Sequence, residues 1–301
     1  MEEEEFLWTE HASRLIETFN LLREQKKYKL TDDVLELDER VLYRIEALIS
    51  FDDVKAGDRG GFIESESNLS QDGNAWIYDS AMVYERARVS GNAKIRDRAV
   101  VYGDAIIYDD AVVRGVGKVF GRAKIYNHAK VLDFSHVYGR AEVYKYAMVH
   151  NGATVCERAK IFDNAKVSGE ARVYGDAMIY DDAEILGSAE AGDYAKIYNH
   201  ARILDSAMIC DNAEVYDSAM VCGFSKVGRN AKVHGMATLY HDVEVFGNSE
   251  IYGKAMVCED AKVCGNAKVY GDAEISGRAI VCGDAEISGF TKIGEQMKVC
   301  N

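Results

Sequence analysis

The chain has no proline in its 301 residues, so no position lacks a backbone N–H donor and extended segments can pair along both edges. Its longest apolar runs fall far short of the roughly 20 residues of a membrane helix, and no membrane partner is expected. Basic excess is missing too. The 36 Lys and Arg face 50 Asp and Glu, a formal charge of −14, which argues against nonspecific binding to nucleic acid. Interspersed cations break up the continuous negative stripe that a nucleic-acid mimic needs. The first residues, Met1-Glu2-Glu3-Glu4-Glu5, are the reverse of a basic signal-peptide start, so a cytoplasmic location is the expectation. Seven cysteines, at positions 156, 210, 222, 258, 264, 282 and 300, are expected as free thiols of a reducing compartment rather than metal ligands.

What the chain does have is a register. From Ile77 to Val299 an aliphatic residue stands at every sixth position, thirty-eight in succession with the single exception of Ala191 and no insertion or deletion. A small residue precedes nearly every aliphatic by two, as Ala171 precedes Val173, which is the alternation of a strand with one buried face. Gly, Asp or Asn follow, as in Gly103-Asp104 and Asp163-Asn164, and these residues accept the sharp turns of a corner. Period six fits no amphipathic helix. Fixed short-period self-similarity means a solenoid.

The unit resembles the hexapeptide repeat [LIV]-[GAED]-x-x-[STAV]-x of left-handed parallel β-helices, in which three units close a triangular coil of eighteen residues. Here the second position is far more often Tyr, Cys or Ser. It points outward, so the departure changes the surface and leaves the fold intact. The predicted fold is an all-β solenoid, a left-handed triangular parallel β-helix of about 12–13 coils over residues 75–301. Residues 1–27 read as an amphipathic helix, with Leu7, Trp8, His11, Leu15, Phe19 and Leu22 at three-to-four spacing. Residues 28–74 read as a β module, with strands at Val34–Leu37 and Val41–Ile45, that covers the first coil.

A narrower resemblance rests on Asp53-Val54-Lys55-Ala56-Gly57, Gly60-Gly61-Phe62-Ile63, Asn68-Leu69-Ser70-Gln71, Gly73 and Trp76-Ile77-Tyr78-Asp79, followed by uninterrupted hexads. This pattern is similar to the YdcK-like proteins of bacteria and phages. The resemblance implies the β-helix and carries the family's acyltransferase label, but no substrate. Its distribution suggests a phage or prophage inhibitor of a bacterial defence complex.

Residues eighteen apart stack at about 4.8 Å in such a coil. One outward column then runs Tyr108, Tyr126, Tyr144, Phe162, Tyr180, Tyr198, Tyr216, His234, Tyr252, Tyr270, with Lys and Glu alternating two residues earlier (Lys124, Glu142, Lys160). It is the candidate interaction ladder, and in-register stacking alone also accounts for it. A second face begins Tyr84, Tyr102, Phe120, Tyr138, and a nearby corner carries Arg86, Arg122, Arg140 and Arg158.

Acyltransferases of this fold use a His under a loop that reaches over it, and a chain without insertions offers no such loop. His128 and His200 share a corner column four coils apart and form no constellation. Paired corner acids such as Asp109-Asp110 and Asp181-Asp182 read as solvated turns rather than calcium ligands. No catalytic residue, metal or cofactor is therefore expected. The leading expectation is a non-catalytic scaffold that binds a protein or protein–nucleic-acid complex through its surface. The alternatives are an acyltransferase using acetyl-CoA and a self-assembling protein that dimerises through an edge at Lys298, Val299, Cys300 and Asn301.

Overall fold

The computed structural model describes residues 26–301; the helix expected over residues 1–27 lies, but for its last two residues, outside them. Beyond residue 75 each hexad forms one two-residue strand in most cases, as at Lys124–Ile125 and Glu142–Val143. Every third strand pairs in parallel at a separation of eighteen residues, as Lys124↔Glu142 and Ile125↔Val143. The result is a left-handed triangular β-helix with three flat faces of 16, 13 and 12 strands. The first face contains Met82–Val83, the second Trp76–Ile77 and the third Arg88–Val89.

The sequence builds this by pointing two side chains of each hexad inward. The aliphatic residues and the Ala two places before them are buried along nearly the whole axis, Val173 and Ala171 among them. Ile293 and Val299, in the last coil, are only partly covered. Among the described residues one inward polar group is unsatisfied. Ser135 is wholly buried and its Oγ has no hydrogen-bond partner, where most coils have Ala.

The corners depend on left-handed backbone. Gly103 has φ 74°, and a Cβ there would meet the Gly121 nitrogen at 2.8 Å, so only glycine fits without strain. Where the corner residue is Asp, Asn or Glu, its carboxylate or amide adds a contact that the repeat pattern does not reveal. Asp97, at φ 60°, accepts the Gly115 N–H of the next coil at 2.9 Å, and Asp205 does the same for Gly223 at 3.0 Å. Asp109 and Asp181 likewise accept the N–H of Asn127 and Asn199, at 3.1 and 3.2 Å. These acids are therefore clips between coils rather than merely solvated turns.

Three longer strands precede the coils. β1 (Tyr28–Leu37) pairs antiparallel with β2 (Arg40–Ala47), β2 pairs antiparallel with β3 (Arg59–Ile63), and β3 pairs in parallel with Met82–Val83 to continue the first face. The motif residues tie this sheet to the first coils. Trp76 is buried edge-on against Tyr28 and Phe51 at 6.2 and 5.5 Å. Asn68 donates to the carbonyls of Glu85 and Ala87, both at 2.9 Å. A Cβ on Gly61 would meet the Ala81 carbonyl oxygen at 2.4 Å.

Asp53 accepts from the Tyr78 hydroxyl at 2.6 Å, Arg96 at 2.8 Å and Lys94 at 3.1 Å. The Tyr78 hydrogen bond, reinforced by the two cations, holds its carboxyl well below the usual range. Lys27 is buried beneath the sheet, its ammonium donating to the Ala75 carbonyl at 3.0 Å. Burial pulls its pKa down to about 8 against the opposing pull of Asp72. Arg40 bridges Glu64 at 2.8 Å and Glu85 at 3.0 Å, and Glu85 in turn accepts the Gly103 N–H at 2.8 Å.

Candidate functional surface

The ten-residue column lies on the third face, and its rings stack. Tyr108, Tyr126 and Tyr144 follow one another at 4.9 Å between centroids, within 4° of parallel. Phe162, Tyr180, Tyr198 and Tyr216 continue at 4.9–5.0 Å. His234, Tyr252 and Tyr270 complete it at 4.6–5.1 Å. All ten are partly buried, because each ring covers its neighbours and leaves mainly its edge to solvent. This burial raises the pKa of Tyr126 and Tyr198, with Glu142 and Glu214 adding to it. Alongside the rings, Glu214 sits between Lys196 at 3.8 Å and Lys232 at 3.7 Å. The first face has a shorter ladder of the same kind, Tyr84, Tyr102, Phe120 and Tyr138, at 4.8–5.2 Å.

The histidines separate by environment. His234 is spent within its ladder, with Nε2 3.0 Å from Glu250. His128 has Nδ1 3.5 Å from Asp110 and its ring stacked on Tyr146 at 4.9 Å. His200 has Nδ1 3.7 Å from Asp182 and an imidazole 70% exposed. This separation is longer than a hydrogen bond. It lies in a shallow groove of about 340 Å³ lined by Asn164, Lys166, Asp182, Glu184, His200 and Arg202. Glu184 holds both cations of the groove, Lys166 at 3.2 Å and Arg202 at 3.4 Å. Asp182 thus lies near Nδ1 of His200 without a hydrogen bond to it. The signal was present in the sequence: each of these acids stands eighteen residues before its histidine, one coil away.

The cysteines require a correction. Cys282 and Cys300 form a disulfide with Cα atoms 4.5 Å apart, since paired outward positions of adjacent strands lie within bridging distance. The remaining five are free, but Cys156 and Cys258 are buried despite their outward positions. Burial pushes both thiols up. At the last coil, Lys298–Cys300 pairs with Ile280–Cys282. Lys298 and Asn301 are exposed, while Val299 packs against the core. Among the described residues, no three His, Cys, Asp or Glu side chains gather as metal ligands.

Fold and surface together define a hexapeptide-repeat β-helix, a rigid solenoid with aromatic columns on its faces. No family model matches the chain. Over 61 residues it is 39% identical to the "Uncharacterized acetyltransferase YdcK" of Escherichia coli (strain K12). That match takes in 20% of this chain and 18% of that protein, so it spans about a fifth of the relative. The expectation that the chain does no chemistry is corrected by this likeness to a protein named as an acetyltransferase.

Proposed function

We propose that the chain is an acyltransferase of the hexapeptide-repeat class, related to the YdcK-like proteins, that moves an acetyl group from acetyl-CoA to an amine or hydroxyl. The observation that carries this reading is the 39% match to the uncharacterized acetyltransferase, and the nearness of Asp182 to the exposed His200 supports it. His200 Nε2 takes the proton of the acceptor as its lone pair attacks the thioester carbonyl. The carbon–sulfur bond then breaks, and the imidazolium returns the proton to the departing thiolate. Lys166 and Arg202 are donors suited to phosphate oxygens. The groove, at about 340 Å³, is at the small end of ligand sites. It takes the thioester arm.

Calorimetric titration with acetyl-CoA tests the reading, combined with thiol release in the presence of a panel of small amines and alcohols. Micromolar binding is expected, with His200→Asn retaining binding and losing transfer at least a hundredfold. Absence of binding at millimolar acetyl-CoA refutes it.

A second reading, favoured by the ten-ring ladder, is that the third face docks a protein or protein–nucleic-acid complex such as a bacterial defence assembly. Tyr ring edges with wet hydroxyls are good contact surface. Replacing Tyr144, Tyr180, Tyr198 and Tyr216 with Ser is expected to abolish capture of the complex. Unchanged capture leaves the ladder a purely structural feature.

A further inference from the structure

The corner between the first and third faces carries three arginines in succeeding coils, Arg122, Arg140 and Arg158, each exposed. Elsewhere the charged columns set opposite signs against each other, as in Lys166–Glu184–Arg202 and Lys196–Glu214–Lys232. Here, on a chain with a formal charge of −14, like charges repeat at the spacing of one coil, and no other column of the coils among the described residues has three cations in a row. The flanking acids are engaged at the two ends. Asp104 pairs with Arg86 at 2.6 Å and lies 3.9 Å from Arg122, while Asp176 pairs with Arg158. Arg140, in the middle, has no ion pair among the described residues. Glu157, on the same corner, accepts the Gly175 N–H with its carboxylate at 3.1 Å.

Like charges repeated at one position of successive coils repel one another, and a polyanion lying along them relieves this. Their planar forks match phosphate oxygens, and arginine is the residue suited to that geometry. Beside them Phe120 and Tyr138, stacked at 4.8 Å, present an aromatic edge two residues before Arg122 and Arg140. We propose that Arg122, Arg140 and Arg158 form a binding site for a chain of linked phosphates, either a nucleoside triphosphate or an inorganic polyphosphate. The site is on a different corner from His200 and does not depend on the acyl-transfer reading.

The test is calorimetric titration of the whole protein at low salt with tripolyphosphate and, separately, with ATP. Submillimolar binding of one ligand per chain is expected. Arg140→Gln weakens it about fivefold or more, whereas Arg278→Gln, at another corner and facing Asp260 at 3.5 Å, leaves it unchanged. Tighter binding of ATP assigns the nucleotide, with its base against Phe120 and Tyr138; equal binding assigns the phosphate chain alone. Absence of binding by both probes, or an equal loss in Arg278→Gln, overturns the proposal. The substituted side chains are solvent-facing, so a change in binding is not a change in folding.

Discussion

Substitution of Asp97 separates two contributions that the corner combines. The residue holds φ at 60° and its Oδ2 accepts the Gly115 N–H at 2.9 Å. Its own N–H donates to Asp79 at 3.0 Å, so it is one link in a chain of clips along the corner. A side chain with no local hydrogen bond pays about 1–2 kcal/mol for left-handed backbone. A hydrogen bond to a charged acceptor contributes about 1.5–3 kcal/mol when shielded, and about 1 kcal/mol is reasonable for this exposed corner. Asp97→Ala loses both and is expected to destabilise by about 2–3 kcal/mol. Asp97→Gly loses only the clip, about 1 kcal/mol, partly offset by its freer backbone. Asp97→Asn keeps an acceptor and the backbone preference and costs a few tenths. A solenoid can unfold from one end in pieces, so urea unfolding should be accompanied by hydrogen exchange at Gly115. Its amide is expected to lose protection in both the Ala and Gly variants and to keep most of it in Asn. Equal stability of the Ala and wild-type proteins, with Gly115 protection unchanged, would refute the clip.

Four further outcomes follow from particular contacts. Ser135→Ala removes a buried hydroxyl with no partner and is expected to stabilise by about 1 kcal/mol in the same urea assay; a loss of stability contradicts the assignment. Arg40→Ala removes the bridge to Glu64 and Glu85 and is expected to expose β1 and β2 to limited proteolysis before the coils; an unchanged cleavage order contradicts the bridge's role. Burial and Lys118 lower the pKa of His136 below its ordinary 6.5, so the unfolded chain binds the proton more readily. Its contribution to stability is complete above that ordinary value and is lost as pH falls through the folded one; His136→Gln should flatten this part of the pH profile. Alkylation of the unfolded, unreduced protein should modify the five free cysteines, and reduction should add Cys282 and Cys300; seven reactive thiols before reduction would contradict the disulfide.

The parts legible in the sequence are those for which the eighteen-residue repeat alone decides who neighbours whom. The stacking of Tyr144 on Phe162 and the alternation of Lys196, Glu214 and Lys232 needed only a register and a rise. The same arithmetic sets Asp182 one coil before His200. Other features require coordinates. Cys264, Cys282 and Cys300 share a column, and the spacing is the same for either neighbouring pair, so the bridge between the last two was not determined. The clips were hidden because an acid turned toward solvent and one turned toward the next coil occupy the same position of the repeat. The YdcK-like motif was legible as a pattern, while its physical role is local: Trp76, Asn68 and Asp53 fasten the first sheet to the first coils.

The most direct measurement of the central claim is the calorimetric titration of the protein with acetyl-CoA, carried out in parallel on His200→Asn. Micromolar binding by both proteins is expected, with acetyl transfer to an amine or hydroxyl by the wild type alone. No heat of binding at millimolar acetyl-CoA, or transfer undiminished in His200→Asn, would contradict it.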